Sequence, residues 1–265
     1  MRRHELSDEE WAVIEPLLPT NSRGVKRVDD RRVINGILWR FRTGSSWRDV
    51  PERYGPRTTL YNRFSRWRQA GVWDQLLDAV SKRYAGDIVM IDSSCVRVHQ
   101  HGANAKKGGS ADPCMGRSRG GLTTKIHALV DADGRPVRLE LTAGQAADAP
   151  MAERLLSGLQ PGATLLADKA YDTDAIRHFA KQRKCWANIP AKANRKQTFS
   201  FSRWVYRQRN QVERFFNRIK QMRGLATRYD RRADNYLAAL KLAATRIWID
   251  NRTIWNTPVI AFNRV

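Results

Sequence analysis

Glu213 lies in a stretch, 204–223, whose apolar residues recur at helical spacing, and three unusual neighbours share its edge. At about 100° per residue, Tyr206, Arg209, Glu213 and Lys220 fall within an arc of roughly 60°. Val212, Phe215, Phe216, Ile219 and Met222 form a separate apolar stripe, which predicts a core-facing side. One carboxylate is thus set among two cations and a phenol at the seam between core and solvent. Two further acids close short apolar runs of the kind a buried strand makes: Asp92 ends 87–92 and Asp168 ends 163–168. In open α/β sheets, ligands bind beyond the carboxyl ends of strands. Either aspartate alone reads as a turn or cap residue. With Glu213, the two supply hard oxygen ligands from three separate elements, which suits divalent ions of the Mg2+ class. Two such ions can activate a nucleophile and stabilise the leaving oxygen of a phosphodiester.

The rest of the chain sets the context for these acids. It has 265 residues, 48 Lys+Arg against 26 Asp+Glu, and a formal net charge of +22. That excess favours a polyanionic partner, nucleic acid first. It is uneven: 190–235 holds 13 basic and 3 acidic residues, interleaved with Phe199, Phe201, Trp204, Tyr206, Phe215, Phe216 and Tyr229. Basic and aromatic side chains together hold phosphates and stack bases. No apolar run approaches the ~18 residues of a membrane span, and the first residues carry no apolar leader. Three widely spaced cysteines form neither a zinc pattern nor a disulfide framework, so a reducing, cytoplasmic setting is expected.

Residues 1–84 read as helices. Ser7 and Glu10 form a capping-box signature, and Pro16 and Pro19 end the first helix. A second is predicted at 30–42, a third at 58–70 and a fourth at 72–84. The third buries Leu60, Phe64 and Trp67 and offers Thr58, Asn62, Arg63, Arg66 and Gln69, with Arg57 just before it. Short helices with a basic, amide-bearing third one resemble a helix-turn-helix reader of the major groove. From 85 the texture changes. A strand at 87–92 is followed by a Gly/Ser/Lys/Arg-rich segment, 99–121, read as a long mobile loop. Strands at 123–130 and 137–142 flank an Asp-Gly turn. Then come a helix (149–156), a strand (163–168), a helix (173–184), a strand (185–189), the helix of Glu213, and a helix from 235 to 249. This order predicts an α/β fold with a mixed sheet and helices on its faces.

The acids and their flanks carry a resemblance. Asp92 in Ile-Asp-Ser-Ser, Asp168 in Ala-Asp-Lys-Ala-Tyr-Asp, and Glu213 in Asn-Gln-Val-Glu-Arg-Phe-Phe resemble the DDE triad of bacterial insertion-sequence transposases. Tyr206, Arg209, Glu213 and Lys220 are spaced as in the Y-(2)-R-(3)-E-(6)-K signature of the insertion-sequence-four/five superfamily, and 116–127 is similar to the insertion-sequence-five group. The resemblance spans about 5–250. It implies a ribonuclease-H-like domain at 85–250 behind the small helical DNA-binding domain. Asp92 would lie on its first strand, Asp168 after the fourth, and Glu213 on the helix after the fifth. It further implies Mg2+ or Mn2+, two ions held by Asp92, Asp168 and Glu213, with Tyr206, Arg209 and Lys220 on DNA phosphates. Double-stranded DNA, both element ends and target, would be the partner, bound by a homodimer or higher oligomer. The expected activity is cleavage at terminal inverted repeats followed by strand transfer. The competing expectation is a silent, DNA-binding derivative of such an enzyme. Asp172 and Asp174 are read as turn or cap residues, His127 as structural, Trp186 and Trp204 as core, and 251–265 as a tail.

Overall fold

In a computed structural model the protein is described over residues 4–19, 29–82, 84, 86–103 and 112–250. The tail at 251–265 and much of the expected loop, 104–111, lie outside the described residues.

The N-terminal helices follow their local signals. Helix α1 (Asp8–Ile14) starts on the Ser7–Glu10 capping box, with both reciprocal hydrogen bonds made. Helix α2 (Asp30–Thr43) begins at Asp29, whose carboxylate accepts from the Arg31 amide, and ends at Gly44 in the left-handed region. Helix α3 (Arg57–Gln69) follows two short 3-10 turns, and Gly71 turns the chain into α4 (Val72–Ser81).

The sheet has seven strands: β1 (Ile88–Val98), β2 (Gly116–Ser118), β3 (Gly121–Asp131), β4 (Pro136–Ala143), β5 (Thr164–Leu166), β6 (Trp186–Asn188) and β7 (Thr227–Arg228). β1 is central. It pairs antiparallel with β3, which carries β2 and β4, and parallel with β5, which carries β6; β7 joins β1 near its end. Helices α5 (Ala149–Leu156) and α6 (Asp174–Gln182) cover one face. Helices α7 (Arg203–Tyr206), α8 (Asn210–Lys220), α9 (Arg223–Ala226) and α10 (Ala233–Ile249) follow β6.

Three departures from the sequence reading matter. The strand expected to end at Asp92 runs on to Val98, because 92–97 pairs with 123–128 although its residues are mostly polar. The segment 99–121 is not wholly loop: Gly116–Ser118 forms β2 against β3. The single helix expected over 204–223 is divided. A 3-10 turn at Arg207–Arg209 separates α7 from α8, and Met222, in extended backbone, precedes α9.

Helix α10 has eleven buried residues, among them Leu240, Leu242, Ala243, Ala244 and Trp248. A helix apolar on all sides belongs in an interior. It packs on α4 and on β4, so one continuous core joins the helical N-terminal region to one face of the sheet. Trp248 closes this contact by donating Nε1–H to the Pro136 carbonyl at 2.7 Å.

Candidate active site

The pleat of β1 sorts its side chains. Val89 and Ile91 pack with α5 and α6, whereas Met90 and Val96 belong to the core beneath α8 and α10. Asp92 and Ser94 share the parity of Met90 and face α8. The parallel register pairs Met90 with Leu166, the last residue of β5, so Asp92 and Asp168 each follow that pair by two residues, near enough for the charge of Asp168 to act on Asp92. β5 ends its pairing there, and β7 joins β1 only at Arg97. Between these points one edge of β1 has no strand neighbour, and this notch holds the site. Asp168 leaves β5 as the cap of a 3-10 turn, accepting from the Ala170 amide at 2.8 Å.

Helix α8 brings the third acid. Arg209, at the end of the 3-10 turn, donates to Asp92 Oδ2 at 2.7 Å and to Glu213 Oε1 at 2.7 Å. One guanidinium fork therefore links the strand carboxylate to the helix carboxylate. The Tyr206 ring lies 5.9 Å from that guanidinium, and Phe201 packs 5.3 Å from Tyr206. Lys220, two turns beyond Glu213, donates to Ser94 Oγ at 2.7 Å. Tyr206, Arg209, Glu213 and Lys220 thus line one edge, as the spacing predicts, although a 3-10 turn interrupts the helix.

Burial pushes Asp92 above the ordinary carboxylate value; the Ser93 amide and Arg209 oppose this, and the charge of Asp168 adds to it. Two like charges near one another, one of them largely desolvated, are relieved by a cation. The donors are hard oxygens, so Asp92 and Asp168 fit a divalent ion of the Mg2+ class. Glu213 is exposed and reaches Asp92 through Arg209. Among the described residues, no three acidic, histidine or cysteine side chains stand close enough to hold one ion. The two aspartates stand near enough for the charge of one to act on the other, and the glutamate reaches Asp92 through an arginine.

Behind Asp92, on the opposite face, lies a polar cluster invisible in linear spacing. Asp148 Oδ1 accepts from Ser93 Oγ at 2.7 Å and Lys125 Nζ at 2.9 Å, with His127 Nδ1 4.0 Å away. Burial drives His127 down to about 4, against the pull of Asp148, so the ring is neutral at pH 7. Its Nε2 meets Thr142 Oγ1 at 2.7 Å, which supports the structural role.

Asp172 is more than a turn residue. Its buried carboxylate accepts from Arg177 Nε at 2.7 Å, Arg195 Nε at 2.7 Å and the Lys192 amide at 2.8 Å, pinning the segment that leads to α7. Trp204 is not core: it is 58% exposed. On α3, Arg57, Thr58, Asn62 and Arg66 are exposed, as expected of a reading face. Arg63 is not part of that face. It pairs with Asp30 and stacks over Trp67, 5.2 Å from its centroid, tying α3 to α2.

A mixed sheet with β1 flanked by an antiparallel hairpin and parallel β5–β6, and with acids on β1, after β5 and on α8, defines a ribonuclease-H-like fold. Residues 83–248 match the family described as "Transposase DDE domain", and 6–77 match "Putative transposase of IS4/5 family". The chain belongs to the DDE transposases of the IS4/5 type. It is 38% identical over 129 residues to a Brucella ovis protein named "Putative transposase for insertion sequence element IS6501", covering 48% of this chain and 99% of that one. An IS402 protein of 16.2 kDa from Burkholderia cepacia is 35% identical over 111 residues, 37% of this chain and 76% of its own. Among solved structures, the Mos1 transposase paired-end complex with left transposon end aligns at 13% identity and TM-score 0.28, over 80% of this chain and 82% of that one. No helix among the described residues is long and apolar enough to cross a membrane.

Proposed function

We propose that this transposase cleaves the phosphodiester at the terminal inverted repeats of its element and joins the freed 3′-hydroxyl to target DNA, with Asp92, Asp168 and Glu213 as the catalytic acids. The observation that carries this reading is the placement of Asp92 and Asp168 near one another at the open edge of β1, with Glu213 linked in by Arg209.

The three acids would hold divalent ions, Mg2+ or Mn2+, two in number, which when bound activate the attacking oxygen and stabilise the leaving one. The chain's own residues do the positioning. The raised Asp92 carboxyl and its like-charged neighbour favour a cation at the notch. Arg209, which links Asp92 and Glu213, would also suit a phosphate oxygen, because its fork binds phosphate and carboxylate alike. Tyr206 and Lys220 lie along the same edge, within reach of the neighbouring backbone. Such alignment and charge stabilisation supply most of the acceleration in phosphoryl transfer.

The helical region, 1–84, is read as the DNA-recognition unit. Arg57, Thr58, Asn62 and Arg66 enter the major groove, and α3 serves as recognition helix. Action on paired element ends calls for a homodimer or larger assembly on DNA. Asp92→Asn, Asp168→Asn and Glu213→Gln should each abolish Mg2+-dependent nicking of a duplex carrying the element end, with duplex affinity retained. Cleavage surviving in all three variants would overturn the assignment of these acids, and wild-type protein that binds the duplex without cutting it would leave a DNA-binding protein.

A further inference from the structure

Several arginines of the chain are engaged. Arg209, Arg63, Arg177, Arg195 and Arg228 each pair with an aspartate. Arg42 and Arg223 are different. Both line a cleft of ≈ 380 Å3 together with His4, Thr43 and Gln221, and neither meets an acid among the described residues. Arg42 belongs to the last turn of α2 and Arg223 opens α9, so the cleft has one wall from the helical region and one from the segment that follows Lys220.

The walls are locked together. Gly44 has φ 77°, and a Cβ placed there would lie 3.0 Å from Arg223 Cβ; at Gly224 it would lie 3.1 Å from the Phe41 carbonyl oxygen. The end of α2 and the start of α9 are therefore in near-backbone contact, which holds the backbones that carry the two arginines together. The carbonyl end of α2 favours one cation. It does not account for a second guanidinium without an acidic partner lining the same cleft, which leaves two like charges uncompensated there. An oxyanion that accepts from both resolves the conflict, and guanidinium forks match phosphate oxygens.

We propose that this cleft seats a backbone phosphate of the DNA duplex, between the exposed α3 face and the Asp92–Asp168 notch. Two observations favour duplex DNA over a free anion. The cleft continues the basic edge, with Lys220 on Ser94, two residues past Asp92, immediately before Gln221 and Arg223. Its opposite wall belongs to α2, tied to α3 by the Asp30–Arg63 pair. A phosphate held by both walls would couple recognition of the element end to placement of the scissile bond. The proposal rests on the reading of the acid notch as the cleavage site.

The test is duplex binding against salt concentration for Arg42→Gln/Arg223→Gln, which keeps much of the side-chain bulk. Each lost phosphate contact lowers the slope of log K against log salt by about 0.9, so the double variant, which loses the one phosphate the two arginines share, should be shallower by about 0.9 and bind roughly 5-fold more weakly at ~0.15 M salt. Arg42→Lys/Arg223→Lys should keep the slope. A control with equal charge loss at exposed sites elsewhere, Lys82→Ala/Lys181→Ala, should change it little. An unchanged slope in the first variant, or an equal drop in the control, overturns the proposal. So does an unchanged duplex slope with lost calorimetric binding of inorganic phosphate, which would make the cleft a free-anion site. Thermal melting of each variant confirms that it folds. Cleavage by Asp92→Asn reports separately on the notch: activity surviving there removes the cleavage reading and leaves the slope measurement standing.

Discussion

Asp172→Asn should destabilise the protein far more than a surface turn substitution would. The carboxylate is fully buried and receives Arg177, Arg195 and the Lys192 amide. Burial alone would raise its pKa, but the Lys192 amide, Arg195 and Arg177 outweigh it and hold the carboxyl below the ordinary range. Removing one partner of a buried ion pair costs about 3–5 kcal/mol, because the remaining charges are left uncompensated. For a protein of this size each kcal/mol lowers Tm by about 2–4 °C, so a fall of roughly 6–20 °C is expected. A group with a depressed folded pKa contributes stability above its unfolded value, near ~3.9, and loses it as pH falls through the folded value. The Tm gap between wild type and Asp172→Asn should therefore be constant from neutral pH down to about 5 and close below about 4. Calorimetry across that range measures it. Limited proteolysis should also show earlier cutting at Lys192, Arg195 and Lys196 in the variant, since Asp172 tethers this segment. A Tm within ~2 °C of wild type at pH 7 would refute the ion-pair account, because it would leave no room for the network to contribute even one kcal/mol.

Other outcomes follow from the same geometry. His127→Asn should flatten the acid limb of stability. The buried ring, with its pKa near 4, destabilises the wild type progressively as pH falls from 6.5 toward 4, by about 3 kcal/mol in all, seen as a difference in urea midpoints. Asn62→Ala or Arg66→Ala should relax discrimination between the element end and unrelated duplex by about 1–3 kcal/mol each, with melting unchanged. Arg63→Ala should do the reverse, lowering Tm and leaving discrimination intact, since Arg63 serves Asp30 and Trp67. Leu240→Ala, in the core shared by the helical region and the sheet, should cost about 2–5 kcal/mol in chemical denaturation, and both regions should melt together.

Much was legible in the chain because local chemistry fixes it. The capping box at Ser7, the Asp-Gly turn and the 3.6-residue stripe of 212–222 are short-range signals, and their elements formed within a few residues of expectation. The three acids and the edge of Tyr206, Arg209, Glu213 and Lys220 were legible too, because side-chain type and spacing survive in one dimension. Long-range pairing was not. Polar 92–97 becomes strand only because β3 lies beside it, and β2 and β7 are too short to announce themselves. Asp172 looked like a turn residue because its partners, Arg177 and Arg195, lie at two unrelated distances further along the chain and are brought to one carboxylate only by the fold. The sequence by itself determined which side chains could do the chemistry. Only the tertiary structure decided that Asp92 and Asp168 meet at an open strand edge, that Arg209 stands between Asp92 and Glu213, and that Arg42 and Arg223 share a cleft. Parallel register and helix docking place residues more than seventy positions apart in one site, and no local periodicity encodes that distance.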